Sequence, residues 1–236
     1  MNKKIKIGII LFIIIFIGGF FVYSAFYYHA EKTATDYMNG TSEVNVSKTS
    51  NGLFLDGSGN DTAIIFYPGA KVDYTSYLPL FSDVASRGAD CYLVQMPFNL
   101  GFFGINSADD IIKNSDYEHY FMAGHSLGGA MAGVYVNKTN NDIDGLIYLS
   151  AHTTNEINVP VLSIRGTNDG IINLESYQEA KSMVKNNFTE VLIPGGNHAQ
   201  FGYYGNQSGD GEANITAESQ QNKSADAIMR FVDYYA

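Results

Sequence analysis

The stretch HYFMAGHSLGGAMAGVYVNK, residues 119–138, decides the fold of this 236-residue chain. It opens with a short apolar run of strand length, and the residues from Ser126 onward are small and apolar, as in a packed helix. At the junction, GHSLG (residues 124–128) matches the pattern G-x-S-x-G, in which a tight strand-to-helix turn exposes a serine. The pattern alone is weak evidence, because the chain contains 24 glycines. The surrounding sequence therefore decides whether Ser126 is a nucleophile or only the N-cap of a helix.

Strand-like and helix-like segments alternate on both sides of this stretch. VNVSKTSNGLFLDG (residues 44–57) predicts a β-hairpin that turns at Asn51-Gly52. Further apolar runs predict strands at residues 62–68, 90–97, 144–152, 160–169 and 189–198. Segments with helical spacing separate them, and an amphipathic helix closes the chain. The alternation predicts an α/β fold with a doubly wound, mostly parallel sheet and an antiparallel start.

Three polar residues follow three different predicted strands. Ser126, Asp169 and His198 each lie where a strand ends, and ligands bind at the carboxyl ends of the strands in such sheets. Their chain order, Ser-Asp-His, is that of a nucleophile-elbow triad. A serine hydroxyl needs an adjacent base to attack at neutral pH, so His198 would accept its proton. Asp169 would orient His198 and stabilise its charged form.

The same reasoning predicts donors for the oxyanion that forms when a serine attacks a carbonyl group. The backbone N–H of Leu127, at the start of a helix, would be one donor. The second would come from the loop after residues 62–68, from the N–H of Ala70 or of Lys71.

The segments FYPGA, GHSLGG, IRGTND and GGNH, in this order, resemble the α/β-hydrolase superfamily over nearly all of residues 60–236. FYPGAKVDYTSY and NHAQFGYYG further resemble compact, dienelactone-hydrolase-like serine hydrolases of the "fold-5" type. The resemblance implies a triad of Ser126, Asp169 and His198, with Leu127 and Ala70 as oxyanion donors. The short link HTTNEINV between two predicted strands leaves no room for the sizeable lid of larger relatives.

The N-terminus predicts a membrane segment. Lysines at positions 3, 4 and 6 precede an uncharged run over residues 7–28, and about 20 apolar residues cross a bilayer. The lysines should stay in the cytoplasm, which places the rest of the chain outside. We expect an uncleaved signal anchor at residues 1–29, a polar linker at 30–43 and an α/β-hydrolase domain at 44–236. A cleaved signal peptide, which would make the protein secreted, is the alternative.

The remaining chemistry-bearing residues predict no other site. The lone Cys91 lies in a predicted buried strand, and the five histidines show no metal-binding spacing, so we expect neither a metal nor a cofactor. We expect His125 to be structural, and His152 either lines the pocket or has no role. Four aromatic residues would line an acyl pocket or belong to the core: Phe102, Phe103, Tyr203 and Tyr204.

The predicted function is that of a membrane-anchored, extracytoplasmic serine esterase. Its partners would be a small-molecule or lipid ester, or a thioester, and the membrane itself. Nucleic acid is not an expected partner, because the net charge is -10 and no Lys/Arg stripe occurs. An acyltransferase on the same triad and a catalytically silent binding protein on the same fold are the alternatives.

Overall fold

The structure is a computed structural model that describes residues 2–59 and 61–236. Its centre is a sheet whose strands are β1 (Asn45–Thr49), β2 (Gly52–Asp56), β3 (Thr62–Tyr67), β4 (Asp90–Val94), β5 (His119–His125), β6 (Gly145–Leu149), β7 (Val161–Gly166) and β8 (Phe188–Ile193). The α-helices are α1 (Lys3–Ala25), α2 (Lys32–Thr35), α3 (Leu78–Ser86), α4 (Ser107–Lys113), α5 (Leu127–Lys138), α6 (Leu174–Lys181) and α7 (Ala217–Tyr235). Short 3-10 helices lie at Asp36–Asn39, Tyr74–Tyr77, Pro97–Asn99, Gly101–Phe103 and Ala199–Phe201.

The sheet has the order β1-β2-β4-β3-β5-β6-β7-β8. β1 and β2 form a hairpin that pairs Asn45 with Asp56 and Thr49 with Gly52, and β2 is antiparallel to β4. From β4 to β8 every pairing is parallel. This arrangement confirms the predicted, mostly parallel sheet with its antiparallel start.

The sheet is covered on both faces, which explains the continuous apolar runs of its central strands. In β3, Ile64 and Phe66 face the cluster that contains residues of α3 and α7, whereas Ile65 faces the cluster that contains residues of α4 and α5. Cys91 is fully buried in the first cluster, where it packs as a small apolar side chain. The two layers of helices leave the strand ends free to carry the loops of a site.

Helix α1 stands apart from this core. The segment Lys4–Ala25 is long and apolar enough to cross a membrane, by length and composition, and none of its most apolar window is buried. A helix that is apolar on all sides and is not buried in the protein core fits either a membrane anchor or a signal sequence.

The segment after α1, expected to be a polar linker, instead packs on the domain. Residues 30–43 contain α2 and a 3-10 helix, and Ala34 is fully buried. The Glu31 N–H donates to the Tyr203 carbonyl at 2.8 Å. Tyr37 and Met38 also pack against the core, and a polar composition does not reveal these contacts.

Candidate active site

Ser126 lies at the sharp turn between β5 and α5. Its φ is 52° and its ψ is -125°, a backbone conformation that residues other than glycine rarely adopt. The Ser126 N–H donates to the Leu149 carbonyl at 3.0 Å, which ties the turn to the neighbouring strand β6. The strained conformation is thus imposed by the strand and helix on either side of it, which hold the serine at the tip of the turn.

Gly128 shows why this turn needs small residues. A Cβ on Gly128 would collide with the carbonyl oxygens of Tyr67 and Pro68 at the end of β3. A Cβ on Gly124 would lie 2.5 Å from the Gly129 nitrogen. The glycines therefore let the first turn of α5 pack directly on the ends of β3 and β5.

His198 and Asp169 meet beside this turn. The His198 Nδ1 lies 3.0 Å from Asp169 Oδ2, and both side chains are almost completely buried. Asp169 Oδ1 accepts the N–H groups of Ile171 and Ile172 at 2.9 and 3.0 Å. Burial by itself raises the pKa of Asp169, but the contacts with His198 and with Ser150 and the Ile172 N–H outweigh it and lower the pKa to about 2. Asp169 is therefore an anion at neutral pH, and the Nδ1–H of His198 donates to it.

The other ring nitrogen of His198 faces a different environment. Its Nε2 is buried and has no hydrogen-bond partner among residues 2–59 and 61–236. His198 and Ser126 line one cleft of about 250 Å³, whose wall also contains Leu127, Ala151, Ile171 and Ile172. Within the described residues no direct hydrogen bond joins Ser126 to His198. Such contacts are often long without substrate and shorten when it binds.

Two backbone N–H groups border the serine. Leu127 is the first residue of α5, so its N–H has no partner one turn earlier in the helix. In the turn after β3, the Gly69 N–H donates to the Tyr77 hydroxyl at 3.2 Å and the Lys71 N–H donates to the Asn99 carbonyl at 2.7 Å. In the part of the chain that the structure describes, the Ala70 N–H makes no hydrogen bond. Of the two candidates from this turn, Ala70 is therefore the one whose donor is free.

His125 connects this turn with the loop of His198. Its Nε2 lies 3.1 Å from the His198 carbonyl, and its Nδ1 lies 2.8 Å from the Tyr77 hydroxyl. Complete burial, and then the neighbouring His198, hold the pKa of His125 well below its usual value. A neutral His125 must donate from Nε2 to the carbonyl and accept the Tyr77 O–H at Nδ1. The Tyr77 oxygen then accepts the Gly69 N–H, so a line of hydrogen bonds fixes both loops relative to β5.

Asp210 was not found by sequence reasoning. One of its carboxylate oxygens accepts the His198 N–H at 3.2 Å and the Gly170 N–H at 3.1 Å, and the other accepts the Ala199 N–H at 2.8 Å. Asp210 thereby holds the loop of His198 against the loop of Asp169. In the sequence, the aspartate between two glycines could have been recognised as a loop residue. The sequence does not reveal which other loop its carboxylate contacts.

The other residues that were considered for the pocket lie in the cleft, in the core or on the surface. His152 lines the cleft, and its Nδ1 lies 3.1 Å from the Thr153 carbonyl. Phe102 and Phe103 are about half exposed and Tyr204 is buried, and none of them lies in the wall of the cleft. Among the described residues no group of three or more His, Cys, Asp or Glu side chains is arranged to hold a metal ion.

Comparison with known proteins identifies the class of protein that this fold defines. Residues 63–222 match the family described as "Alpha/beta hydrolase family", which is more than half of the chain. The chain belongs to the α/β-hydrolase family, as the sequence motifs predicted. Among curated protein sequences none matches the chain.

Solved structures show the same fold at low sequence identity. The dienelactone hydrolase from Anabaena variabilis is 12% identical with a TM-score of 0.60, over 80% of this chain and 98% of that one. Est1E from Butyrivibrio proteoclasticus is 14% identical with a TM-score of 0.57, over 81% of this chain and 100% of that one. The ferulic acid esterase from Streptomyces cinnamoneus is 18% identical with a TM-score of 0.60, over 74% and 67%. At these identities the likeness establishes the fold and leaves the reaction to be argued from the site.

Proposed function

We propose that this protein is a serine hydrolase that cleaves carboxylic esters or thioesters through Ser126, His198 and Asp169. One observation carries the proposal: His198 has one ring nitrogen bound to a buried carboxylate and the other unpaired beside the cleft that Ser126 lines. A histidine held in this way can take a proton only at Nε2, which is the role of a general base. One of the structures with the same fold is named as a ferulic acid esterase, which is compatible with this reaction class.

The first half of the proposed reaction forms an acyl-enzyme on Ser126. Ser126 Oγ attacks the carbonyl carbon while His198 Nε2 takes the hydroxyl proton, and Asp169 stabilises the charged imidazolium. The N–H groups of Leu127 and Ala70 donate to the oxyanion of the tetrahedral intermediate. When the intermediate collapses, the ester C–O bond breaks and His198 returns its proton to the leaving alcohol. The acyl group remains as an ester on Ser126.

The second half repeats these steps with water. His198 takes a proton from a water molecule, whose oxygen attacks the acyl carbon. Collapse of the second tetrahedral intermediate releases the carboxylic acid and returns the proton to Ser126. No step requires a metal or a cofactor.

We further propose that α1 anchors the protein in a membrane with the hydrolase domain outside the cytoplasm. The uncharged residues 7–28 are long enough to span the bilayer, and the lysines before them favour the cytoplasmic side. The direct test is to add protease to the outside of intact cells and to measure whether the hydrolase domain is cleaved. Cleavage of the domain from outside is the expected result.

The proposed chemistry is tested with a fluorophosphonate probe, which labels activated serines covalently. We expect labelling of the wild type and no labelling of Ser126→Ala. Ser82→Ala is the matched control, because Ser82 is also a buried serine but lies in α3 and not in the wall of the cleft. Equal labelling of the wild type and of Ser126→Ala would overturn the proposal, and Ser82→Ala should label like the wild type.

A further inference from the structure

Three exposed phenylalanines lie together beside the candidate active site. They belong to residues 97–104, here called the aromatic loop, and Phe98, Phe102 and Phe103 are 41%, 49% and 51% exposed. Their rings are adjacent, with centroids 5.5 Å apart for Phe98–Phe103 and 5.2 Å for Phe102–Phe103. Phe98 and Asn99 have φ values of 57° and 55°. Strained backbone beside an exposed apolar cluster is typical of a surface that serves a function.

The aromatic loop is continuous with α1. The Phe20 ring lies 5.2 Å from Phe98 and 5.8 Å from Phe103, and Phe21 lies 6.0 Å from Phe98. Phe20 precedes the end of α1 at Ala25 by about 7 Å of helix rise. With α1 across a bilayer, the aromatic loop therefore lies at the boundary between acyl chains and head groups, where interfacial segments insert.

The chain that leaves α1 is fixed to the turn that carries Ala70. The Tyr28 N–H donates to the Lys71 carbonyl at 2.7 Å, and the Asp73 N–H donates to the Tyr28 carbonyl at 2.9 Å. The Lys71 ammonium lies 4.0 Å from the centre of the Tyr23 ring in the last turns of α1. These contacts leave no flexible stalk between membrane helix and domain, so the orientation of α1 sets the orientation of the site.

The aromatic loop also contacts the turn after β3 and helix α5, which begins directly after Ser126. The Lys71 N–H donates to the Asn99 carbonyl at 2.7 Å, and Gly101 packs so closely on α5 that a Cβ there would lie 3.0 Å from the Met131 side chain. The cleft beyond it has apolar walls formed by Leu127, Ile171 and Ile172. Helix α5 therefore contacts the aromatic loop through Met131 and lines the cleft through Leu127.

We propose that the aromatic loop inserts into the outer leaflet of the membrane that holds α1, and that the substrate is an ester of a membrane amphiphile taken up from that leaflet. The insertion rests on the proposed membrane anchor α1, and the substrate half of this proposal rests in addition on the proposed hydrolase function. The chain after α1 is acidic, so insertion depends on the aromatic rings and requires no anionic lipid.

Insertion is tested without any assay of activity. The chain contains no tryptophan, so Phe102→Trp introduces a single fluorophore into the full-length protein. In phosphatidylcholine vesicles brominated on the acyl chains, we expect its emission to fall about twofold or more, because an interfacial indole contacts the chains. The matched control is Tyr234→Trp, whose emission should not change, since Tyr234 is 76% exposed in α7 and lines a groove with Phe188 at the amino end of β8. Equal emission of Phe102→Trp in brominated and unbrominated vesicles would overturn the insertion.

The substrate class is tested by comparing two esters with the full-length protein in vesicles. One is water-soluble p-nitrophenyl acetate, and the other is a diacylglycerol or phospholipid in the vesicle. For each variant we divide the rate of hydrolysis of the vesicle ester by the rate of hydrolysis of p-nitrophenyl acetate. We expect the double variant Phe102→Ser, Phe103→Ser to lower this ratio by about tenfold, because the aromatic contact with the membrane surface is lost. Tyr234→Ser should leave the ratio unchanged.

The outcomes separate the two proposals. A wild type that cleaves p-nitrophenyl acetate but no ester in the vesicle overturns the substrate class and leaves the hydrolase function in place. An unchanged ratio in the double variant also overturns the substrate class. A wild type that cleaves neither ester while Phe102→Trp is quenched refutes the hydrolase function and supports the insertion.

Discussion

The two edges of the central sheet differ in how their loops are built. At the carboxyl edge, the loops after β3 to β6 contain all the non-glycine residues with positive φ that the structure describes: Lys71, Phe98, Asn99, Ser126 and Ser150. The buried atoms Ser150 Oγ and His198 Nε2 lack partners there, and His119 Nδ1 lacks one at the amino edge. At the amino edge, Asp90 accepts the Gly57 N–H at 2.9 Å and the Tyr117 hydroxyl at 2.8 Å. The Asp144 carboxylate likewise accepts the Tyr120 N–H at 2.9 Å.

The difference teaches which edge serves stability and which serves chemistry. Positive φ and unpaired buried atoms each cost free energy of folding, and they persist only where the surroundings impose them. Satisfied carboxylates at the amino edge lower the energy of loops that have no reaction to perform. We therefore expect substitutions at the carboxyl edge to change mainly the activity, and substitutions at the amino edge to change mainly the stability.

The largest expected effect is at the carboxyl edge. Ser126→Gly and Ser126→Ala should both lower the rate of ester hydrolysis by at least about a thousandfold, because both remove the attacking oxygen. Ser126→Gly should be the more stable of the two by about 1 kcal/mol, since glycine has no Cβ to strain at positive φ. Rates with p-nitrophenyl acetate and denaturant unfolding of both variants are the measurements. An alanine variant as stable as the glycine variant would show that the turn is not strained.

At the amino edge the expected effect is on stability alone. Asp90→Ala leaves the Gly57 N–H and the Tyr117 hydroxyl without an acceptor, which should lower the free energy of unfolding by about 2 kcal/mol. Burial is the main reason that the pKa of Asp90 is raised, and Asp90→Asn removes the buried charge while it keeps one of the two acceptor oxygens, so it should cost less. The kcat of both variants should equal that of the wild type. A large loss of kcat in either variant would contradict the division between the edges.

The smallest expected effect concerns the pH dependence of stability at His125. Its pKa in the folded protein is lowered, so below the unfolded value of about 6.5 the unfolded chain takes up a proton that the folded protein does not. The stability contributed by neutral His125 is therefore complete above that pH and falls as pH is lowered, by up to about 1.4 kcal/mol per pH unit. The measurement is denaturant unfolding between pH 7 and pH 5. In this range the free energy of unfolding should depend less steeply on pH in His125→Gln than in the wild type. An unchanged slope would show that folded His125 protonates as readily as the unfolded chain.

Sequence reasoning located the strand ends more readily than the contacts between loops. Strand length and apolar runs predicted that Ser126, Asp169 and His198 follow β5, β7 and β8, and the structure places them there. Asp210 was missed because its role depends on loops that are far apart in sequence meeting at their backbones. The packed segment at residues 30–43 was missed because its polar composition resembles that of a linker.

The local sequence by itself determined the strand-turn-helix around Ser126, the alternation of strands and helices, and the apolar helix α1, because hydrophobic periodicity and glycine positions are properties of neighbouring residues. Only the tertiary structure decided that the Lys71 N–H donates to the Asn99 carbonyl while the Ala70 N–H stays free. It also decided that His125 joins two loops. It also brought α1 against the aromatic loop. These contacts join residues that are distant in the chain, and their geometry depends on how whole elements pack, which no local pattern records.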